Sequence, residues 1–266
     1  MKRLAKKLIW LLAVAAAAQD SPADRVQVAF SDPARPGTVK ASLISGSITV
    51  KAHSGNDVIV EARTRSASSS SAPGGMKRIV VGGTGLSVSE ESNVMSVGAT
   101  SHSRTVDLTI QVPARTSLKL NCINSGKIEV EGVSGEIEAS HHNGSVTLKD
   151  VAGSAIAHSH NGKVLVSMTR VEPNKPMSFS SWNGAVDLTF PADLKATVKL
   201  RTDRGDIFTD FDVAMLAEAK PLVEDTRSQN GKYRVRVDRT VTGTINGGGP
   251  EIQVKNYNGP IYIRKK

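Results

Sequence analysis

Apolar and polar residues alternate one by one through much of this chain. After Gly126, for example, Ile128 and Val130 alternate with lysine and glutamate residues. A period of two, rich in β-branched residues, is typical of a half-buried β-strand. The same alternation predicts further strands at 26–30, 58–63, 77–81, 106–112 and 117–121. The pattern therefore predicts an all-β fold.

The alternating segments are spaced by a regular series of glycines. Five of them fall at equal intervals, at Gly126, Gly135, Gly144, Gly153 and Gly162. Every second one follows a polar pair such as His-Asn, so the repeating unit spans two glycine intervals and consists of two unlike halves. A fixed repeat of this kind is the signature of a stacked architecture. Looser copies of the pattern precede the glycines at 46, 184, 205 and 259.

Two architectures are compatible with this repeat. The first is a β-solenoid, resembling a parallel β-helix, with coils of roughly 18–22 residues. The second is an antiparallel β-meander or sandwich, because Asn-Gly is also the strongest hairpin turn. The alternation of two unlike halves favours the solenoid. In both cases Asn-Gly supplies backbone positions that tolerate positive φ, so the chain can turn there at low cost.

The sequence predicts one domain over residues 19–266. Its most regular repeats are at 123–211, and its closing strands are at 245–266. The segment 212–220 is the one plausible helix after the N-terminus.

The N-terminus has the layout of a secretory signal peptide over residues 1–18. Four basic residues are followed by an apolar run at 8–18, which ends in Ala-Ala-Ala. The run is too short to span a bilayer, which needs about 20 residues. We therefore expect an exported protein, periplasmic or extracellular, that meets the membrane only during export.

Charge and cysteine content narrow the functional classes. The net charge of +9 includes the four basic residues of the signal peptide, so the mature chain is near +5. Its basic residues are interleaved with acids, without a recognisable nucleic-acid-binding module, so no nucleic-acid partner is expected. Cys122 is the only cysteine and lies in an alternating segment, which predicts a buried, unreactive thiol.

Several segments resemble a bacterial "putative adhesin" family of β-strand-repeat domains of unknown function. The resemblance is carried by Val112-Pro113-Ala114, by Pro191-Ala192-Asp193 with Gly205-Asp206-Ile207, and by Asn258-Gly259 with Ile261 and Ile263. It covers roughly residues 40–266. The resemblance implies a β-helix-like fold in the bacterial envelope, and it implies no catalytic residues.

His142 and His160 are the strongest candidates for a site. Each stands directly before Asn-Gly and they are one repeating unit apart, so in a solenoid they stack in one column that Trp182-Asn183 continues. A zinc or copper site would need further ligands. His141, His158 or Asp150 could supply one, but the spacing of these residues does not by itself indicate a metal site. One cluster of acidic residues can be compared with calcium-binding repeats, and it is interpreted as a solvated loop: Asp203, Asp206, Asp210 and Asp212. The sequence therefore assigns no catalytic, cofactor-binding or metal-binding residue and implies no cofactor.

The outward columns after the glycines carry mixed residues without a carboxylate pair or an aromatic platform for sugars. The first is read as Lys127, Ser145, Lys163, Ala185 and Asp206, and the second as Glu129, Thr147, Leu165, Asp187 and Phe208. The sequence therefore predicts a non-enzymatic cell-envelope protein that acts in adhesion, as a scaffold or in envelope sensing. Its partner is not identified, with envelope proteins and polysaccharides as candidates. The alternatives are a β-helix carbohydrate-active enzyme and a metal-binding envelope protein.

Overall fold

The computed structural model describes residues 23–65, 83–99, 104–216, 222–226, 232–236 and 240–266. Strands are the only regular elements in these ranges. No helix long and apolar enough to cross a membrane occurs in the described ranges. The predicted signal peptide and the predicted strand at 77–81 lie outside the described residues. The prediction of an all-β fold is confirmed.

The strands of the first half of the chain are β1 (Asp24–Ala29), β2 (Thr38–Ser45), β3 (Ile48–His53), β4 (Asp57–Thr64), β5 (Leu86–Glu91), β6 (Val94–Ala99), β7 (Val106–Pro113), β8 (Ser117–Glu131) and β9 (Ser134–Asn161). Those of the second half are β10 (Val164–Val171), β11 (Met177–Asn183), β12 (Val186–Phe190), β13 (Ala196–Arg204), β14 (Ile207–Thr209), β15 (Val213–Met215), β16 (Leu222–Thr226), β17 (Lys232–Arg236), β18 (Val241–Ile245), β19 (Glu251–Asn258) and β20 (Ile261–Lys265). Only β16 and β17 form a separate sheet, as an antiparallel pair.

Most central strands pair in parallel, because each coil lies on the one before it. Val146 pairs with Val164 of the next coil, and Ser159 pairs with Ser181 of the coil after that. Each layer supplies one strand to each of two parallel ladders, which enclose the core. The layers follow one another in the order 38–51, 117–131, 136–149, 154–171, 177–190, 251–265 and 196–209.

Both ends of the stack are antiparallel. At one end β4 pairs antiparallel with β1 and β7, and β5 with β6; at the other, β18 pairs antiparallel with β13 and β15. The sheet is therefore mixed, and neither a uniform parallel solenoid nor an antiparallel sandwich describes the whole chain.

The last strands of the chain do not lie at the end of the stack. β19 lies between β11 and β13, and β20 lies between β12 and β14. The predicted neighbours Asp187 and Phe208 are consequently separated by Tyr262, which pairs with both. The prediction that the columns follow the order of the sequence is wrong here, because the backbone of any strand with a matching register can form the ladder hydrogen bonds.

The predicted helix at 212–220 is also wrong where the structure describes it. Val213–Met215 is a strand, and Val213 pairs with Ile245. Its apolar spacing permits either structure, and pairing with β18 decides between them, since tertiary context overrides propensity. Residues 217–220 lie outside the described part of the chain.

A single apolar core runs along the stack between the two ladders. Alternate residues of each strand point into it, as Val164 and Val166 do in β10. Phe179 and Phe190 are fully buried and meet edge to face, with ring centroids 6.3 Å apart. Burying a side chain of this size contributes about 1.5–3 kcal/mol to stability. The intervening residues point outward and form the columns from which a surface site can be built.

Candidate functional site

One corner of the stack carries a glycine in each of seven successive layers: Gly46, Gly126, Gly144, Gly162, Gly184, Gly259 and Gly205. A Cβ atom on Gly144 would lie 2.4 Å from the carbonyl oxygen of Gly126, and one on Gly162 would lie 2.3 Å from that of Gly144. Glycine is therefore required by the close approach of successive coils. Neither of these two glycines is in the left-handed region, so the tolerance of Asn-Gly for positive φ is not used there.

Polar inward residues three positions before a corner glycine, or four positions in the case of Cys122, anchor the corner in most layers. The Ser159 hydroxyl donates to the carbonyl oxygen of Gly144 at 2.8 Å, and the Ser181 hydroxyl donates to that of Gly162 at the same distance. Equivalent bonds to glycines of neighbouring layers are made by Cys122, Thr202 and Asn256. These bonds satisfy carbonyl groups in the corner that the sheet leaves free. They hold the outward residues of the corner on a rigid frame.

His141 differs from the other polar residues of this inward column, whose first member, Leu43, is apolar. It pairs with Cys122 in the ladder and is fully buried, yet neither ring nitrogen has a hydrogen-bond partner. Burial is the largest cause that lowers the pKa of His141; the backbone of Ser125 raises it, and the charge of His142 lowers it. The imidazole is therefore held neutral inside the stack, as desolvation requires.

Cys122 is fully buried, as the sequence predicted. Burial raises the pKa of its thiol to about 11. A thiol in this state is a poor nucleophile, so Cys122 serves packing and the corner hydrogen bond.

On the outer side of the corner, five asparagines form a ladder. The side-chain amide of Asn143 donates to Asn124 at 3.1 Å, and Asn161 donates to Asn143 at 2.8 Å. Asn183 continues to Asn161 at 2.8 Å, and Asn258 to Asn183 at 3.4 Å. All five amides lie on the outer surface of the stack. The ladder crosses five layers although its members come from distant parts of the chain.

Beside the asparagines runs a column of stacked rings. The His142 and His160 rings are 4.7 Å apart and 10° from parallel, which confirms the predicted stacking of these histidines. Trp182 follows at 5.7 Å from His160, as predicted, and Tyr257 follows at 4.2 Å from Trp182. The guanidinium of Arg204 lies over Tyr257, 5.7 Å from the ring centroid. We call these four rings and the five asparagines the corner strip.

The ring column continues into aliphatic side chains. Ile123 and Ile44 occupy the two layers before His142 and are 44% and 40% exposed. Beyond Tyr257, the last layer places Asp203 in the column, where it pairs with Arg201 at 3.0 Å. With these residues included at its two ends, the corner strip runs from an apolar end to a charged end.

The geometry limits the chemistry of the strip. The ring planes are nearly parallel, so the in-plane lone pairs of His142 and His160 do not converge on one ion at the distance of about 2.0–2.1 Å that zinc needs. His158 is occupied elsewhere, with its Nδ1 2.8 Å from the Ser180 hydroxyl. No group of three or more His, Cys, Asp or Glu side chains able to hold a metal occurs among the described residues. The acidic residues near Asp206, all of them described, therefore form no such group.

Sequence reasoning missed the contribution of Tyr257. Its signal was present, because Tyr257 stands two residues before Gly259 as Trp182 stands two residues before Gly184. Only the insertion of β19 beside β11 turns this equivalence into contact. The expectation of no aromatic platform concerned the two columns after the glycines, whereas this ring column lies before them.

The opposite ladder carries a second, differently built surface. Hydrogen bonds from Lys127 and Lys149, each 2.5 Å from a Glu129 oxygen, lower the pKa of Glu129 to about 2. Further along, Phe208 stacks on Tyr262 with a centroid distance of 5.3 Å. This surface combines charge pairs with rings, whereas the corner strip lacks charge pairs until its final layer.

Comparison with known proteins identifies the family but no function. A "putative cell adhesion protein" from Clostridium sporogenes ATCC 15579 is 10% identical, with 92% of this chain and all of that chain covered and a TM-score of 0.44. A "putative adhesin" from Bacteroides fragilis NCTC 9343 is 9% identical, with 92% and 97% covered and a TM-score of 0.28. No curated protein matches the chain. The model of the family described as Toastrack DUF4097 matches residues 37–247, which confirms the resemblance found in the sequence. The chain belongs to the Toastrack DUF4097 family.

Proposed function

We propose that this protein is a non-enzymatic, exported component of the cell envelope that binds a partner through the corner strip. The observation that carries the proposal is the exposed row of rings and amides on a rigid corner. Trp182 remains 46% exposed although it is stacked on both sides. A large exposed aromatic side chain beside a polar rim is typical of an interaction surface.

The rest of the molecule supports a binding role over several layers. The parallel layers from 38–51 to 196–209 act as a solenoid-like rod with a filled interior. A filled interior leaves side-chain columns and corners for recognition, as in other stacked repeat proteins. An adhesion or scaffold role uses such an extended surface directly. The proposal rests on this surface and on the signal peptide predicted for residues 1–18.

Export is tested with a reporter that is active only outside the cytoplasm, such as alkaline phosphatase fused after Lys266. The full chain is expected to give reporter activity in a bacterial host, and removal of residues 1–18 is expected to abolish it. A silent full-length fusion that accumulates in the cytoplasm would contradict the export proposal.

A carbohydrate-active enzyme is the second candidate, and one observation favours it. Glu136 and Glu172 line the same groove at another corner, where Lys175 forms an ion pair with Glu136. Paired carboxylates are the usual machinery of glycoside hydrolysis. Incubation with a panel of polysaccharides, followed by measurement of new reducing ends, separates the candidates. The non-enzymatic proposal expects no product; turnover that Glu136→Gln or Glu172→Gln abolishes would replace it with the enzyme.

A further inference from the structure

We propose that the corner strip binds an extended, uncharged glycan chain lying along the stack axis. This inference rests on the proposed function, because it names the class of partner for the same surface.

In the layers from Ile44 to Tyr257 the strip contains no carboxylate, ammonium or guanidinium group, and the imidazoles of His142 and His160, at one end, are its only groups that can become cationic. The first charged side chains of the column are Asp203 and Arg204, in its last layer. A strongly anionic polymer would meet no row of cations along the strip, and a cationic one would meet no row of acids. Charge complementarity therefore favours a neutral ligand.

The asparagine ladder presents hydrogen-bonding groups of both kinds. Within the ladder an amide such as Asn143 uses one N–H and one lone pair on its oxygen. Each amide has two N–H groups and two oxygen lone pairs, so one of each remains for a ligand. Successive amides are about 4.8 Å apart, the spacing of the strands. Sugar hydroxyls both donate and accept, so a chain of sugar units matches this repeated donor and acceptor.

An extended peptide fits the strip less well. Strands such as β11 are paired on both sides, with β9 and β19, so they offer no free edge to an added strand. Edge addition is the route by which extended peptides gain most of their affinity for sheets. Recognition here must therefore use side chains alone.

The rings supply the apolar part of the surface. Because the rings stack on one another, they present their edges outward and leave the edge of Trp182 accessible. Ile123 extends this apolar line toward the other end of the strip. The carbon-bound hydrogens of sugar rings can pack along such a line while their hydroxyls reach the asparagines. Aromatic side chains with one polar handle suit mixed surfaces of this kind.

Affinity electrophoresis tests the proposal with the full chain as the host exports it. Native gels contain hydroxyethylcellulose, galactomannan or dextran as neutral polysaccharides, and alginate as the anionic reference. At least one neutral polysaccharide is expected to retard the protein, with little change when salt is added to screen charges. Trp182→Ala is expected to weaken this binding by about fivefold, since an aromatic contact of this kind is worth about 1 kcal/mol, whereas Trp182→Phe is expected to retain most of it.

Phe208→Ala is the matched control, because Phe208 is 50% exposed and also lies in a ring stack, but on the opposite ladder. Its retardation is expected to equal that of the wild type. His142→Ala, at the free end of the ring stack, repeats the test with less disturbance if Trp182→Ala does not fold. The inference is overturned if no neutral polysaccharide retards the protein, if only alginate does, or if all ring variants of the strip behave as the wild type.

The two proposals fail in different ways. An exported protein that neither cleaves nor binds any neutral polysaccharide loses the glycan inference and keeps the proposed function. A protein that releases reducing ends from a polysaccharide loses the non-enzymatic function.

Discussion

Gly162→Ala tests whether the corner glycines determine how closely the coils pack. Gly162 lies in the middle of the glycine column, outside the left-handed region of φ. Alanine is therefore not strained by its own backbone conformation there. Any loss of stability must come from contact of the added methyl group with the neighbouring coil.

The magnitude follows from the distances. The new Cβ would lie 2.3 Å from the carbonyl oxygen of Gly144 and 2.8 Å from the nitrogen of Ser145, where ordinary contact begins near 3.4 Å. The coils would have to separate locally by roughly 1 Å. Such a shift would lengthen the bonds that join these two coils: Ser159 to Gly144 and Asn161 to Asn143, both now 2.8 Å, and Val146 to Lys163, now 2.9 Å. At about 1 kcal/mol for each of three bonds, we expect a loss of about 3 kcal/mol.

Urea unfolding followed by circular dichroism measures this loss. Gly98→Ala is the matched control, because its added Cβ would have no neighbour nearer than the Ser42 oxygen at 3.7 Å and its φ is not in the left-handed region. Alanine at position 98 is expected to change stability by less than about 1 kcal/mol, in the stabilising direction. Equal unfolding free energies for Gly162→Ala and wild type would refute the steric account of the repeat.

Three further predictions concern titration and reactivity. Because burial keeps His141 neutral, the unfolded chain binds a proton that the folded chain does not, so wild-type stability should fall as the pH drops below about 6.5. His141→Ser, which introduces the residue type of the equivalent position Ser159, should make stability in urea melts less dependent on pH between 7.5 and 5. An unchanged difference between the two pH values would contradict this account. The pKa of Glu129, lowered to about 2, implies stability present above its ordinary pKa of 4.5 and lost toward pH 2. Because both lysine partners are about half exposed and screened by solvent, Glu129→Gln should remove only about 1 kcal/mol at pH 7 and much less near pH 2. An equal loss at both pH values would argue against the lysine contacts as its source. Buried Cys122, with its pKa near 11, should react with a thiol reagent such as DTNB at pH 8 at least about a hundredfold more slowly in the fold than in urea; comparable rates would show that the thiol is accessible.

Much of this architecture is already present in the sequence as local pattern. Period-two alternation separates core from surface residues, because successive side chains of a strand point to opposite faces. The repeat interval places His142 beside His160, since one interval returns the chain to the same position of the next layer. The lone Cys122 falls on the inward phase, and it is buried. These features depend only on residues within one or two coils of each other.

The tertiary structure decides what pairs with what over longer distances. Backbone hydrogen bonds are nearly indifferent to side-chain identity, so no local signal shows that β19 enters between β11 and β13. The same indifference allows antiparallel strands at both ends and makes Val213–Met215 a strand. The ring column depends on that insertion, because Tyr257 meets Trp182 although several strands separate them along the chain. The sequence by itself determines most of the strands, their inner and outer faces and the length of the regular repeat. The order of the coils, and with it the complete corner strip, arises only when the chain folds.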